Sequence, residues 1–305
     1  MKLLIVGTIG LDTIETPFGK RENILGGSVI HAATSASFYT EPAIVGVAGQ
    51  DFPAEHLEFL KSRKIDVSGV QIMPGETFRW SGYYEYDMNQ AHTRETCLNL
   101  YENFDPKIPD HLRGAEYVFL ANLDPALQIK VLDQLKSPKV VAMDTMNFWI
   151  ENKRALLAEV IKRVDVVLMN DGEVRQFTGV PNIPQAAAKL RQLGVKDIII
   201  KKGEHGALLF MPGSHFSAPS YPQNVLRDPT GAGDSFAGGF MGYLAKTNDL
   251  AEKNLRRAII VGSVMASFNV EDFSLDRLKR LTEKEIFARF EEFRGFSEFE
   301  ALSLA

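Results

Sequence analysis

Cysteine is almost absent from this chain: Cys97 is the only one in 305 residues. An intramolecular disulfide and a cysteine-built metal cage are thereby excluded, and the usage suits a reducing, cytoplasmic setting. Long hydrophobic runs are lacking, since none approaches the ~20 apolar residues of a membrane helix. The N-terminal MKLLIVGTIGLDTI and the glutamate after it bring Asp12 and Glu15 too early for a signal peptide. There is no surplus of positive charge; the net charge of -5 gives no general attraction to nucleic acid or to an anionic membrane. No G-x-x-x-x-G-K-[ST] phosphate loop occurs, and no strand ends in G-x-G-x-x-G; GTIG at residues 7–10 is too short. Repeats, low-complexity tracts and Pro/Gly-rich linkers are missing as well, so residues 1–305 read as one α/β domain with an excursion.

What is present is an alternation. Short runs rich in Val, Ile and Leu at residues 2–6, 43–48, 117–121, 140–144, 166–169 and 198–201 read as strands. Most lack polar alternation, which suits strands covered on both faces. Helical patterns fall at 28–38, 55–63, 126–135, 153–161 and 185–193. The alternation predicts a parallel sheet with helices on both sides. After residue 200 a strand pair around Pro212-Gly213 is expected, and from Asp234 onward the chain reads as helical. Residues 77–103 fit neither scheme. They are polar and aromatic, with Phe78, Trp80, Tyr83, Tyr84 and Tyr86 close together, and read as extended strands outside the main sheet. They are either a surface hairpin packed on the core or a lid over a ligand.

One stretch carries chemistry. DPTGAGDSFAGGF, at residues 228–240, places Gly231-Ala232-Gly233 before a run of small residues that reads as a tightly packed helix. A glycine turn into a helix N-terminus presents free N–H groups and the positive end of the helix dipole, which together hold an anion. Asp234 in that turn is either a helix cap or a general base that takes a proton from a hydroxyl while the neighbouring N–H groups hold the group under attack.

With these residues in view, the chain resembles the PfkB/ribokinase family of carbohydrate and nucleoside kinases. DPTGAGDSFAGGF resembles its C-terminal signature. Gly26-Gly27 with the small-residue helix SVIHAATSAS is similar to its N-terminal Gly-Gly motif, VGVAGQD to its V-G-x-D element, NDGE at 170–173 to N-x-x-E, and KKGEHG at 201–206 to K-x-G-x-x-G. The resemblance implies a ribokinase-like three-layer α/β/α sandwich with a mostly parallel central sheet and a small β lid, the lid drawn from residues 12–25 and 72–104. It implies an ATP-dependent phosphotransferase using Mg2+. Asp234 would be the base; Gly231, Ala232 and Gly233 the anion hole; Asn170, Lys201, Gly203 and Gly206 the nucleotide contacts; Glu173 and Asn170 the Mg2+ contacts through water. Adenine would lie between the loop before Asp228 and the helix around Gly262 and Ser263. Such chemistry rests on positioning and charge neutralisation. Taken singly, NDGE also reads as a helix cap and KKGEHG as a charged turn.

On the acceptor side the resemblance implies contacts from Asp12, Gly26 and Gly27. Sugar kinases of the family often carry Asn where this chain has His31, and DTMNFW at 144–149 is similar to a D-x-N element with unusual spacing. The first expectation is a hydroxymethyl group of a sugar or sugar derivative as acceptor. The alternative is a nucleoside, its base stacked on a lid aromatic; a non-catalytic sugar or nucleotide binder is the third. A monovalent cation and a homodimer through the lid are left open by the resemblance.

Overall fold

The computed structural model describes residues 2–296 and 298. Thirteen strands form two sheets: β1 (Leu3–Val6), β2 (Gly10–Thr16), β3 (Gly19–Gly26), β4 (Pro42–Gly49), β5 (Asp66–Met73), β6 (Phe78–Tyr84), β7 (Ala91–Cys97), β8 (Tyr117–Leu120), β9 (Val140–Met143), β10 (Val166–Asn170), β11 (Asp197–Lys201), β12 (Ala207–Met211) and β13 (Ser214–Ala218). The central sheet has nine, in the order β13-β12-β11-β10-β9-β8-β1-β4-β5. From β11 to β5 all neighbours run parallel; β12 and β13 return antiparallel as a hairpin about Pro212-Gly213.

The sheet is central because its strands are apolar on both faces. In β1, Leu3 and Ile5 enter one core and Leu4 and Val6 the other, and all four are fully buried. Each such side chain contributes about 1.5–3 kcal/mol relative to exposure. The helices are α1 (Ser28–Ala36), α2 (Ala54–Ser62), α3 (Pro125–Leu132), α4 (Asn147–Asn152), α5 (Arg154–Ile161), α6 (Asp171–Thr178), α7 (Ile183–Arg191), α8 (Ala232–Thr247), α9 (Glu252–Asn269), α10 (Asp276–Lys279) and α11 (Glu283–Gly295). The helices α3 to α7 cover one face; α1, α2 and α8 to α11 cover the other. The small residues of α8 have a packing reason. A Cβ on Gly238 would overlap the Ala32 carbonyl of α1, and one on Gly242 would lie 2.9 Å from the Ala36 Cα.

The expected strands and helices are present with ends shifted by up to a few residues. The sheet edge β5 and the short helices α4 and α6 go beyond what the sequence pattern shows.

The second sheet has four strands, in the order β3-β2-β6-β7. Two separate excursions build it, joined by parallel pairing of β2 with β6. Its attachment points are fixed by polar side chains. Asp51 accepts from the Thr77 N–H (2.8 Å) and hydroxyl (2.6 Å) and from Arg79 (2.7 Å), where β6 begins. The buried Tyr101 hydroxyl donates to the Gly7 carbonyl at 2.9 Å and accepts from the N–H of Ile9 (2.9 Å) and Val47 (3.3 Å), where β1 leaves for β2. The expected excursion at 77–103 is thus strand where expected, and its end, Asn99–Asn103, is a 3-10 turn.

Candidate active site

In a parallel sheet the strand ends that carry function lie on the carboxyl side. Here β9, β10 and β11 are neighbours, and their C-terminal ends deliver Asp144, Asn170 and Lys201 side by side. Asn170 and Lys201 are register partners. The Lys201 ammonium bridges past β10 to pair with the buried Asp144 carboxylate. Burial opposes the lysine's charge, but Asp144 and Glu173 outweigh it and hold its pKa above the ordinary value.

NDGE opens α6 as a capping box. The Asn170 side chain accepts from the Glu173 N–H at 2.8 Å, and Glu173 Oε2 accepts from the Asn170 N–H at 2.7 Å. The capping reading of the motif therefore describes the local structure. It leaves the other oxygen of Glu173 without a protein donor among the described residues. Glu173 is buried, and burial together with Asp144 pushes its pKa up to about 7.

The turn at 228–233 enters α8 as expected. Gly231 is left-handed, with φ 74°, a conformation glycine takes without strain. A Cβ there would also overlap the His31 ring. The N–H of Ala232 bonds the Pro229 carbonyl at 3.1 Å. Those of Gly231, Gly233 and Asp234 have no protein acceptor among the described residues and remain available to an anion. Lys201 lies beside this turn: a Cβ on Gly233 would stand 3.0 Å from its ammonium. Asp234 sits in the first turn of α8. Burial, then Asp144, push its carboxyl up to about 8, against the pull of Lys201. A base with a pKa near the working pH is what proton abstraction from a hydroxyl needs.

Facing this turn is one side of the small sheet. Asp12 on β2 pairs in register with Trp80 on β6, so Asp12, Trp80, Gly82 and Tyr84 share a face. The Tyr84 hydroxyl reaches the Thr230 hydroxyl at 3.2 Å, directly before the anion-holding turn. Trp80 lies flat over Gly82, where any Cβ would overlap its ring, and its Nε1 donates to Thr93 at 3.2 Å. Asp12 is buried, and its Oδ1 has no hydrogen-bond partner. Burial and the nearby Asp228 raise its pKa to about 7, partly offset by the Gly27 N–H. A buried carboxylate oxygen without a partner has the capacity to accept from a ligand hydroxyl. Gly26 is bare because Asp12 fills the space of its Cβ, and at Gly27, with φ 97°, a Cβ would overlap the Thr8 carbonyl.

His31 does more than start a helix. Its Nδ1 lies 3.1 Å from Asn269 Oδ1, and burial, against the raising pull of that bond, lowers its pKa to about 4. Gly203 and Gly206 shape the turn after β11. Gly206 has φ 81°, and a Cβ there would overlap the backbone of residues 218–220; Pro219 in turn lines a groove of about 700 Å³ with Phe216, Arg256, Ile260 and Phe290. Gly262 is buried under Phe236 of α8, where a Cβ would stand 2.8 Å from a carbonyl oxygen, and the Ser263 hydroxyl bonds Ile259 at 3.0 Å within α9. Gln223 and Arg289 both bond Ser267, across the space between the loop before Asp228 and α9.

The residues that sequence reasoning missed are Tyr84 as a contact of the turn and Asn269. Asp144 was singled out, but not its pairing with Lys201. Strand order supplies that pairing, and no local pattern does.

The profile of the pfkB family carbohydrate kinases matches residues 20–278. A cytidine kinase of Thermococcus kodakarensis is 33% identical over 257 residues, covering 83% of this chain and 91% of that one. Among solved structures, a Methanocaldococcus jannaschii nucleoside kinase of the ribokinase family superposes with a TM-score of 0.77 at 21% identity, covering 96% of this chain and 99% of that one. A Burkholderia thailandensis nucleoside kinase in complex with inosine gives 0.76 at 19% identity, covering 95% and 96%. The three-layer fold is the ribokinase fold. With the family profile spanning most of the sequence, the chain belongs to the pfkB family of carbohydrate kinases and is an ATP-dependent phosphotransferase.

Proposed function

We propose that the chain is a nucleoside kinase, with a pyrimidine nucleoside such as cytidine as acceptor and the small sheet as its lid. The observation that carries this reading is the aromatic face of that sheet. Trp80 is the register partner of Asp12, whose Oδ1 has no hydrogen-bond partner, and Tyr84 lies further along the same face, so one surface offers a stacking plane beside a hydroxyl receptor. The likeness to the Thermococcus kodakarensis cytidine kinase supports it.

In the reaction, Asp12 and the Gly26-Gly27 backbone hold the ribose hydroxyls. Asp234 takes the proton of the primary hydroxyl as that oxygen attacks the γ-phosphorus of ATP. The free N–H groups of Gly231, Gly233 and Asp234 hold the phosphoryl oxygens in transfer. Lys201 leaves or shares Asp144 to meet the phosphate chain. The adenine end is assigned to the groove beside Pro219, since Gln223 and Arg289 cross the space nearer Ser267. No group of three His, Cys, Asp or Glu able to hold a metal occurs among the described residues. The free oxygen of Glu173 and the acidic surroundings nonetheless fit a Mg2+ that keeps its waters and arrives with the nucleotide. When bound, it supplies charge neutralisation. The near-absence of cysteine supports a reducing, cytoplasmic setting for the reaction. No helix among the described residues is long and apolar enough to cross a membrane.

The test is ADP release with a panel of nucleosides and sugars. Cytidine at a kcat/KM at least tenfold above ribose or 2-dehydro-3-deoxygluconate is expected. A sugar turned over best, with nucleosides inert, overturns the acceptor assignment and leaves the kinase intact.

A further inference from the structure

Asn269, the last residue of α9, is fully buried. Its amide Nδ2 donates to the Thr230 carbonyl at 2.8 Å. Its Oδ1 lies 2.9 Å from the Ser235 hydroxyl and 3.1 Å from His31 Nδ1. A carbonyl can only accept, so Thr230 fixes which way the amide points. Oδ1 is then an acceptor, Ser235 and His31 both donate to it, and His31 carries its proton on Nδ1. One side chain thus ties together α1, the entry turn and α8.

The bond to Thr230 matters most. In an unbroken helix the carbonyl of residue 230 would accept the N–H four positions on, that of Asp234. Asn269 takes this carbonyl instead. The Thr230 N–H is held separately, by Asp228 Oδ1 at 2.9 Å, and its hydroxyl meets Tyr84. Thr230 is therefore fixed at all three polar groups, and the left-handed Gly231 follows it. The donors of Gly233 and Asp234 are left unspent.

We propose that Asn269 is the positioning residue of the anion hole: by drawing the Thr230 carbonyl away from α8, it keeps the Gly233 and Asp234 N–H groups free and aimed at the transferring phosphoryl group. This rests on the kinase reading, in which those N–H groups hold phosphoryl oxygens. It adds a residue that never touches substrate. A side chain that merely fills space at 269 would affect melting and not the chemical step.

The experiment uses Asn269→Leu, close in size and without polar groups, assayed with ATP and cytidine, or with the best acceptor of the panel if that is another. Removing the tie lets the Thr230 carbonyl turn back onto the helix. The expected result is a kcat lowered roughly ten- to a hundredfold, in line with the cost of about 1 Å of misplacement. Both KM values should stay within about threefold, and binding of ADP with aluminium fluoride and acceptor should weaken by a similar factor while ADP alone is unaffected. A kcat within twofold of wild type, or a loss confined to KM, overturns the proposal. Should the leucine variant fail to fold, Asn269→Ala, which cannot overfill the site and lacks the donor to Thr230, replaces it; the same drop relative to wild type is expected, and its absence is equally decisive. Wild-type turnover reports on the kinase reading separately, because it does not depend on either variant.

Discussion

Asp234 combines three pressures in one carboxyl: burial, the nearby Asp144, and the opposing Lys201. In the unfolded chain it titrates near 3.8, and in the fold near 8. Between those values the folded state holds a proton that the unfolded state gives up, so the stability this proton supplies is complete below about pH 4 and is lost as pH rises through 8. Asp234→Asn does not titrate. Its melting temperature relative to wild type should therefore climb between pH 4 and 8, while its kcat falls about 10²–10⁴-fold, the usual cost of a lost general base. A difference in melting temperature that is flat with pH, or a retained kcat, would make Asp234 a helix cap and no more. Glu173 gives a second test. Because one of its oxygens caps α6 and the other is free, Glu173→Gln should raise the Mg2+ concentration for half-maximal rate several-fold and leave the acceptor KM within twofold; an unchanged Mg2+ titration counts against the role. At this scale the sequence showed Asp234, Lys201 and Glu173 through the order of their motifs. It was silent on Asn269. An asparagine at a helix end reads as an ordinary terminus, and its partners Thr230, Ser235 and His31 lie 39, 34 and 238 positions away.

At the scale of elements, the parallel core was legible because its strands are continuous apolar runs. The edge strand β5 was not. Its sequence DVSGVQIM is interrupted by Ser68 and Gly69, and one side of an edge strand has no sheet neighbour to demand more apolar residues. The motif before α6 was seen, and the helix itself missed, since eight polar-rich residues carry too little periodicity. The aromatic cluster was visible, but its sorting was not. Pairing of β2 with β6 sends Trp80 and Tyr84 to one face. On the other, Tyr83 stacks on His92 at 4.9 Å with Arg94 over it, beside the Arg94–Glu15 ion pair. That outer face carries a cluster of charge. The inner face yields a prediction. Gly82→Ala introduces a Cβ into the Trp80 ring and must displace it. In a Trp149→Phe background, Trp80 emission should shift and lose its response to acceptor, and the acceptor KM should rise at least fivefold with the ATP KM within twofold. Unaltered emission together with an unaltered KM would remove Trp80 from the acceptor site.

For the molecule as a whole, the small sheet touches both halves of the proposed reaction. Its inner face holds Asp12 and meets Thr230, and its β6–β7 tip reaches the turn after β11, where Asn89 Nδ2 donates to Glu204 Oε1 at 3.0 Å. Ordering the sheet over an acceptor must repay lost chain entropy with new contacts. Hydrogen exchange across residues 77–103 is therefore expected to slow when cytidine binds and to slow further with nucleotide, and Glu204→Ala should abolish the second step and keep the first. Identical exchange with and without a verified acceptor would show that the sheet is no lid. The reach of that tip also bears on traffic. If the strand ribbon that shelters the acceptor is fastened to the donor's own turn, nucleotide arriving early tightens the doorway the acceptor must use. The enzyme should then load acceptor first and donor second, saturating ATP should slow turnover at low acceptor, and the phosphorylated product should be held until ADP has gone.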